Sequence, residues 1–318
     1  MIELNGIRLK NRILAAAGAL GYGNGHWWHR WMQPWLVNPS IYGAVITRTL
    51  TLEPRRGRYY DPLQTNWQAK IRDLQEMPKV ISGTSRVMRR LGWGRYWNRL
   101  GWWNIGIKRW ITDYYLGLRK KVNLIISIGG FSILEYQELI KWADNLILAA
   151  IEVNISCPNI ETDFQNDLEL LEELCCGCRK SARQLPLILK IGIDCDYVKV
   201  GQIAEKAGFN AVSAINSIPA NYFGPSNPKG GRSRWPFGAR KFPCIGAISG
   251  RDIKLYALQV VSELREAASI PIVGGGGIFN WSDCEDFLKA GADALMMGAV
   301  HALQPWKPTW IIRRHNQI

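Results

Sequence analysis

Ile151-Glu152-Val153-Asn154-Ile155-Ser156-Cys157-Pro158-Asn159 is an apolar strand that runs directly into a polar loop. The β-branched Val153 and Ile155 suit a buried strand, and Pro158 keeps Cys157 out of the helical region, so the strand ends at the thiol. Runs of the same kind recur at Ile13–Ala17, Ala44–Thr47, Leu124–Ile128, Ala150–Ile155, Leu187–Ile191, Ala211–Ile215, Ile270–Val273 and Ala294–Met297, which makes eight. Ile133–Leu148, Asp167–Arg183, Asp196–Ala207, Ile253–Ala268 and Asp283–Ala290 lie between them and mix apolar with charged residues at helical spacing. Strand–helix alternation gives a parallel sheet, and eight repeats give an α/β fold of the closed (β/α)8 TIM barrel type, one domain over residues 1–318. A doubly wound sheet is the main rival, but its glycine fingerprint follows the first strand. Here the glycine cluster Gly274–Gly277 comes late. Ahead of the barrel, Ile2-Glu3-Leu4 and Ile7-Arg8-Leu9 flank the turn pair Asn5-Gly6, a hairpin that serves as a plug or an edge ribbon.

The 318 residues suffice for a full core. Apolar residues make up 47%, yet no uninterrupted apolar run reaches the ~18 residues a spanning helix needs, so no membrane span is expected. Met1-Ile2-Glu3-Leu4-Asn5-Gly6 lacks the basic-then-apolar order of a signal peptide, which points to the cytoplasm. The seven cysteines, at 157, 175, 176, 178, 195, 244 and 284, form an odd set without regular spacing, as reduced thiols do. Cys175, Cys176 and Cys178 fall in a helical stretch with no nearby His, a poor donor set, and no metal is expected. The net charge of +14 favours anionic ligands. Much of it lies in residues 86–121, where Arg86, Arg89, Arg90, Arg95, Arg99, Lys108, Arg109, Arg119, Lys120 and Lys121 interleave with Trp93, Trp97, Trp102, Trp103 and Trp110. That pattern stacks nucleic-acid bases or meets a membrane surface, or else forms a solvated lid whose tryptophans pack onto the domain.

Barrel enzymes carry their chemistry just past the carboxyl ends of the strands. In this chain those ends are Ala16-Ala17-Gly18, Arg48-Thr49, Ser127-Ile128-Gly129-Gly130, Asn154 to Asn159, Lys190, Asn216-Ser217, Gly274-Gly275-Gly276-Gly277 and Gly298-Ala299. Cys157, between Asn154 and Asn159, is either a buried structural thiol beside turn-forming asparagines or a reaction centre. In the second case the carboxamides match the alternating N–H and C=O edge of a cyclic imide or ureide. Glycines at the seventh and eighth ends let backbone N–H groups close on a phosphate, which implies a phosphorylated cofactor. Lys190 ends an apolar strand, where an ammonium needs a partner or a shifted pKa.

The order of these motifs resembles that of class 1 dihydroorotate dehydrogenases, FMN enzymes on a (β/α)8 barrel, over nearly the whole chain. Leu9-Lys10-Asn11 through Ala19-Leu20-Gly21-Tyr22-Gly23, and Tyr42-Gly43-Ala44-Val45-Ile46-Thr47 with Thr51-Leu52-Glu53-Pro54-Arg55, look like the NAD-linked, class 1B-like catalytic subunit. Asn154-Ile155-Ser156-Cys157-Pro158-Asn159 is the most specific segment, with Cys where membrane-linked class 2 relatives have Ser. The resemblance implies that Cys157 is the general base taking the C5 proton of dihydroorotate, and that Lys190 lies near flavin N1 and O2. It places Arg48, Asn98, Leu100, Gly101, Trp102, Asn154, Asn159, Asn216 and Ser217 on the substrate. It places Ala17, Gly18, Arg48, Thr49, Asn154, Lys190, Ile215, Gly250, Gly276, Gly277, Gly298 and Ala299 on FMN. It further implies a lid insertion over residues 62–118, a homodimer, and a separate FAD and iron–sulfur electron-transfer subunit; nucleic acid is not an expected partner. Arg48 stands where the family has Lys, Trp102 and Trp103 replace a Leu and a Gln or Pro, and Ala247 replaces a glycine. The alternatives are a dihydropyrimidine oxidoreductase, a tRNA dihydrouridine synthase, against which Ser156 and Asn159 argue, and a non-catalytic flavin-binding homologue.

Overall fold

The computed structural model describes residues 1–24, 38–55, 79–82, 94–98, 101–157, 164–223 and 246–316. In chain order its strands are β1 (Ile2–Leu4), β2 (Ile7–Leu9), β3 (Ile13–Ala15), β4 (Val45–Ile46), β5 (Lys79–Ser82), β6 (Gly94–Asn98), β7 (Leu124–Ile128), β8 (Ala150–Asn154), β9 (Leu187–Ile191), β10 (Ala211–Ala214), β11 (Ile218–Pro219), β12 (Ala247–Gly250), β13 (Ile272–Gly275) and β14 (Ala294–Met297). Eight of them close a parallel barrel in the order β10-β13-β14-β3-β4-β7-β8-β9. Each corresponds to one of the apolar runs, and closure removes the doubly wound alternative. The outer helices are α1 (Ile133–Ala143), α2 (Leu168–Ser181), α3 (Tyr197–Lys206), α4 (Lys254–Ala267), α5 (Trp281–Lys289) and α6 (Lys307–His315). Four of them start on side-chain caps: Ser132 on α1, Asp167 on α2, Asp196 on α3, and a reciprocal Asn280–Asp283 box on α5.

Period-two alternation sorts the barrel residues into two cores. Ile126, Ile151, Val153, Leu187, Leu189, Val212, Ile272 and Leu295 face the helices. Leu14, Ile46, Ile125, Ala150, Ile188, Ala211, Val273 and Met296 face inward, and Leu4, Ile7 and Leu9 of the β1–β2 hairpin pack onto them. The hairpin turns at Asn5 and Gly6, both at positive φ. It plugs the amino end of the barrel, where Asn5 and Asn210 exchange hydrogen bonds through Asn5 Nδ2 to Asn210 O (3.3 Å) and Asn210 Nδ2 to Asn5 O (2.8 Å).

Two features differ from the sequence-based expectation. The seventh barrel strand starts two residues later than the apolar run and extends through Gly274 and Gly275. Only glycines fit there, because a Cβ on Gly275 would fall 2.3 Å from the Met296 carbonyl oxygen of the adjacent strand. The residues available beyond that strand are therefore Gly276 and Gly277. Second, the region read as a lid insertion contributes β5 and β6 to a four-stranded antiparallel sheet, β11-β12-β6-β5, laid over the barrel mouth with Asn98 opposite Ala247. Trp102 and Trp110, among the described tryptophans of that region, pack inward. Residues 62–78, 83–93 and 99–100 of it lie outside the described set. Cys175 and Cys178 face the core from α2 whereas Cys176 faces solvent, so the three thiols do not converge. Burial pushes the Cys175 and Cys284 thiols up to about 12.

Candidate active site

The carboxyl ends of the barrel strands divide into a polar arc and a glycine arc. The polar arc runs over β4, β7, β8, β9 and β10. Ser127, facing inward from β7, shares a 3.0 Å hydrogen bond with the Thr49 hydroxyl. Thr49 accepts from Asn154 Nδ2 at 2.9 Å. Asn154 Oδ1 accepts from Ser156 N at 3.2 Å and Asn216 Nδ2 at 3.5 Å, and Asn216 Nδ2 also donates to Ser156 O at 2.9 Å. Asn216 Oδ1 fixes Ser217 N at 2.8 Å, and the Ser217 and Ser249 hydroxyls lie 2.6 Å apart. This chain of hydrogen bonds joins Thr49, Asn154, Asn216 and Ser217, which the resemblance assigned to substrate or cofactor, and draws in Ser127 and Ser249. Asn154 spends its carbonyl on neighbours and serves first to rigidify the arc.

Cys157 follows this arc, partly buried, three residues beyond the end of β8. Beneath it the fully buried Tyr136 donates 2.8 Å to the Asn154 carbonyl. Burial pushes the Tyr136 phenol well above its usual range, so at neutral pH it is a donor that holds the strand end and not a proton acceptor. Leu100 and Asn159 lie outside the described residues.

Lys190 and Glu152 face the barrel interior from β9 and β8. Lys190 is 5% exposed and Glu152 0%. Their charges lie 3.7 Å apart (Lys190 Nζ to Glu152 Oε1), and Ser213 Oγ, from β10, donates 3.1 Å to Glu152 Oε2. Asn154 is the register partner of Lys190, which places the ammonium directly beside the polar arc. Glu152 is the partner that Lys190 requires. Its signal in the sequence was an acid inside Ile-Glu-Val, at the inward position of an apolar strand.

The glycine arc spans β13, β14 and β3, which are neighbours in the barrel. The N–H groups of Gly276, Gly277, Gly298 and Ala299 make no backbone hydrogen bond among the described residues. Gly276 and Gly277 have φ of +129° and +92°. A Cβ on Gly276 would lie 2.9 Å from Ala257 Cβ, and one on Gly277 would lie 3.0 Å from Gly250 O, so this turn is pressed against α4 and the end of β12. Ile215 packs on Gly276. On the far side, space opens: a Cβ on Gly298 would make only ordinary contact with Ala16 at 3.6 Å, and one on Gly18, next to Ala17, would meet nothing within 4 Å. The result is a shelf without side chains, edged by backbone donors.

Arg48 lies two residues beyond β4 and stacks on the Trp103 ring at 4.9 Å, with Nη1 3.5 Å from the Trp103 carbonyl. Trp102 and Trp103 sit on a loop knotted by the buried Asn104, whose Nδ2 donates to Thr51 Oγ1 at 2.9 Å and Trp102 O at 2.8 Å. Gly101 opens this loop at φ +62°. Asn98 ends β6, opposite Ala247 and so two positions from Ser249 in the register.

A family profile described as dihydroorotate dehydrogenase matches residues 82–316. The chain belongs to the dihydroorotate dehydrogenase family. Among curated dihydroorotate dehydrogenases, the B (NAD(+)) catalytic subunit of Caldicellulosiruptor saccharolyticus is 30% identical over 315 residues, covering 96% of this chain and 88% of that one. The B (NAD(+)) catalytic subunit of Endomicrobium trichonymphae is 30% identical over 308 residues, with 96% and 87% covered. The dihydroorotate dehydrogenase A (fumarate) of Limosilactobacillus reuteri is 29% identical over 312 residues, with 96% and 88% covered. No helix among the described residues is long and apolar enough to cross a membrane.

Proposed function

We propose that this chain oxidises dihydroorotate to orotate, with FMN as its cofactor and Cys157 as the base. The observation that carries the reading is the pairing of a hydrogen-bonded polar arc, ending at a thiol, with a shelf free of side chains on the opposite rim. The donor chemistry fits FMN. Gly276, Gly277, Gly298 and Ala299 would hold its phosphate with backbone N–H groups, Ala17, Gly18, Ile215 and Gly250 would border it, and Thr49, Asn154 and Lys190 would meet its polar edge. When bound, FMN supplies the hydride acceptor. Cys157 takes the C5 proton of the substrate as a thiolate and passes it to water; a thiol, which titrates near ~8.5 unperturbed, suits both transfers near neutral pH. Lys190, held by Glu152, provides a fixed cation beside the reacting layer. Arg48, Asn98, Gly101, Trp102, Asn216 and Ser217 bind and orient the substrate. Family membership supports this chemistry over tRNA dihydrouridine synthesis.

The same reading makes residues 1–318 one catalytic domain with residues 62–118 over its mouth. It includes a homodimer in the cytoplasm and, as the relatives named catalytic subunits suggest, a second subunit; by the resemblance, that subunit would bear FAD and an iron–sulfur cluster and take the electrons onward.

The test is direct. The purified protein should show a flavin spectrum that bleaches anaerobically with dihydroorotate but not with dihydrouracil or RNA. A preparation that neither carries nor takes up FMN refutes the reading.

Gly298→Ala isolates the phosphate shelf, since its methyl group has room in the fold. It should weaken FMN binding roughly ten-fold or more without shifting the unfolding of the flavin-free protein; unchanged FMN affinity would move the phosphate elsewhere. Arg48→Lys keeps the charge while losing the stack on Trp103, and dihydroorotate turnover should stay within a few-fold of the parent or improve. Arg48→Ala should raise the KM for dihydroorotate roughly ten-fold. An unchanged KM and flavin spectrum in Arg48→Ala would take Arg48 out of the site.

A further inference from the structure

Trp102 is 4% exposed, and its indole Nε1 is a buried donor with no hydrogen-bond partner among the described residues. A buried N–H without an acceptor is unfavourable unless something else supplies one. Its location is fixed by Gly129. A Cβ at that glycine would fall 2.6 Å from the indole Cζ2 and 2.7 Å from Cε2, the carbon bonded to Nε1. On β7 the inward positions are Ile125 and Ser127, and Gly129 N continues the ladder by donating to Leu50 O at 2.9 Å. Gly129 is therefore the next inward position, and the indole occupies the barrel mouth one step above Ser127 and the Thr49–Asn154 chain.

The indole is held there from two sides. Asn104 grips the Trp102 carbonyl, and the Phe131 ring meets the indole edge-on at 5.3 Å. The rings next to it carry positive charge. The Arg48 guanidinium stacks on Trp103, the next residue, and the Arg55 guanidinium lies 4.1 Å over the Phe131 ring. A fixed, desolvated donor whose neighbours Trp103 and Phe131 each carry a guanidinium on the ring suits an anionic acceptor better than a neutral carbonyl. Dihydroorotate has one group that is ionised at neutral pH, its carboxylate.

We infer that the indole N–H of Trp102 binds the substrate carboxylate inside the barrel mouth and is the specificity-determining donor of the site, with Gly129 as the residue that admits the ring. This rests on the dihydroorotate reading given above.

The experiment titrates the flavin-loaded protein with orotate and with uracil, which lacks the carboxylate, and follows the visible flavin spectrum. Trp102→Phe keeps an aromatic ring over Gly129 and removes only the donor. Orotate should bind roughly 10–100-fold more weakly, with uracil affinity and flavin content unchanged. Gly129→Ala, whose methyl displaces the indole, should reproduce the orotate loss. Orotate affinity that is unmoved in Trp102→Phe, or uracil weakened equally, overturns the inference alone, because the ring then serves packing. A flavin-loaded parent that binds neither ligand overturns both the inference and the reading beneath it.

Discussion

Replacement of Cys157 by Ala should leave flavin bound and slow its reduction by dihydroorotate by roughly 10²–10⁴-fold, the usual worth of a positioned general base. The two half-reactions separate the base from the scaffold. Proton removal needs Cys157, whereas reoxidation of pre-reduced protein by an artificial acceptor does not, and that rate should remain near the parent's. Cys157→Ser should retain a small activity that rises with pH, because a hydroxyl is a far weaker acid than a thiol. Tyr136, held neutral by burial and committed to the Asn154 carbonyl, offers no substitute base. Stopped-flow reduction of the three proteins decides the matter: equal rates would make Cys157 a structural thiol.

Lys190→Met should cost stability as well as activity. It leaves Glu152, fully buried, without the cation 3.7 Å away, and among the described residues Ser213 Oγ alone remains to offset its charge. Breaking a buried pair from one side typically costs about 3–5 kcal/mol, more than the pair itself contributes. The double variant Glu152→Gln/Lys190→Met removes both charges and should recover most of that loss while staying inactive. Denaturant unfolding of the parent, Lys190→Met, Glu152→Gln and the double variant, all flavin-free, gives the coupling. Additive losses would mean that the two side chains do not act as a pair in solution.

These two sites show what the sequence could and could not disclose. The barrel was legible because each strand is a short apolar run and each helix an amphipathic one, a local pattern that needs no partner to be read. Cys157, Lys190, Asn216 and Ser217 were legible as strand-end residues, because each closes or follows a short apolar run. The Glu152–Lys190 pair was only half legible: the acid is visible in the sequence, but its partner is set by the register of β8 against β9. The β6–β12 pairing was not legible at all. It joins Asn98 to Ala247 through strands of five and four residues, too short to announce themselves and too far apart in sequence to suggest each other. Gly274 and Gly275 misled for a physical reason, since a residue usually depleted from strands is required where two barrel strands crowd.

The plug at the amino end has a consequence for the order in which this molecule assembles. Asn5 and Asn210 are 205 positions apart, and β14 must pair with β3 before the barrel closes. Residues 1–9 thus wait for a partner until the chain has been made through Met297. Until then the inward faces of Leu4, Ile7 and Leu9 have no interior to fill. Contacts this distant make folding slow and leave the nascent chain exposed to misassociation. Loss of residues 1–9 should therefore show in the yield of soluble protein made in cells even where the finished barrel, once folded, tolerates it.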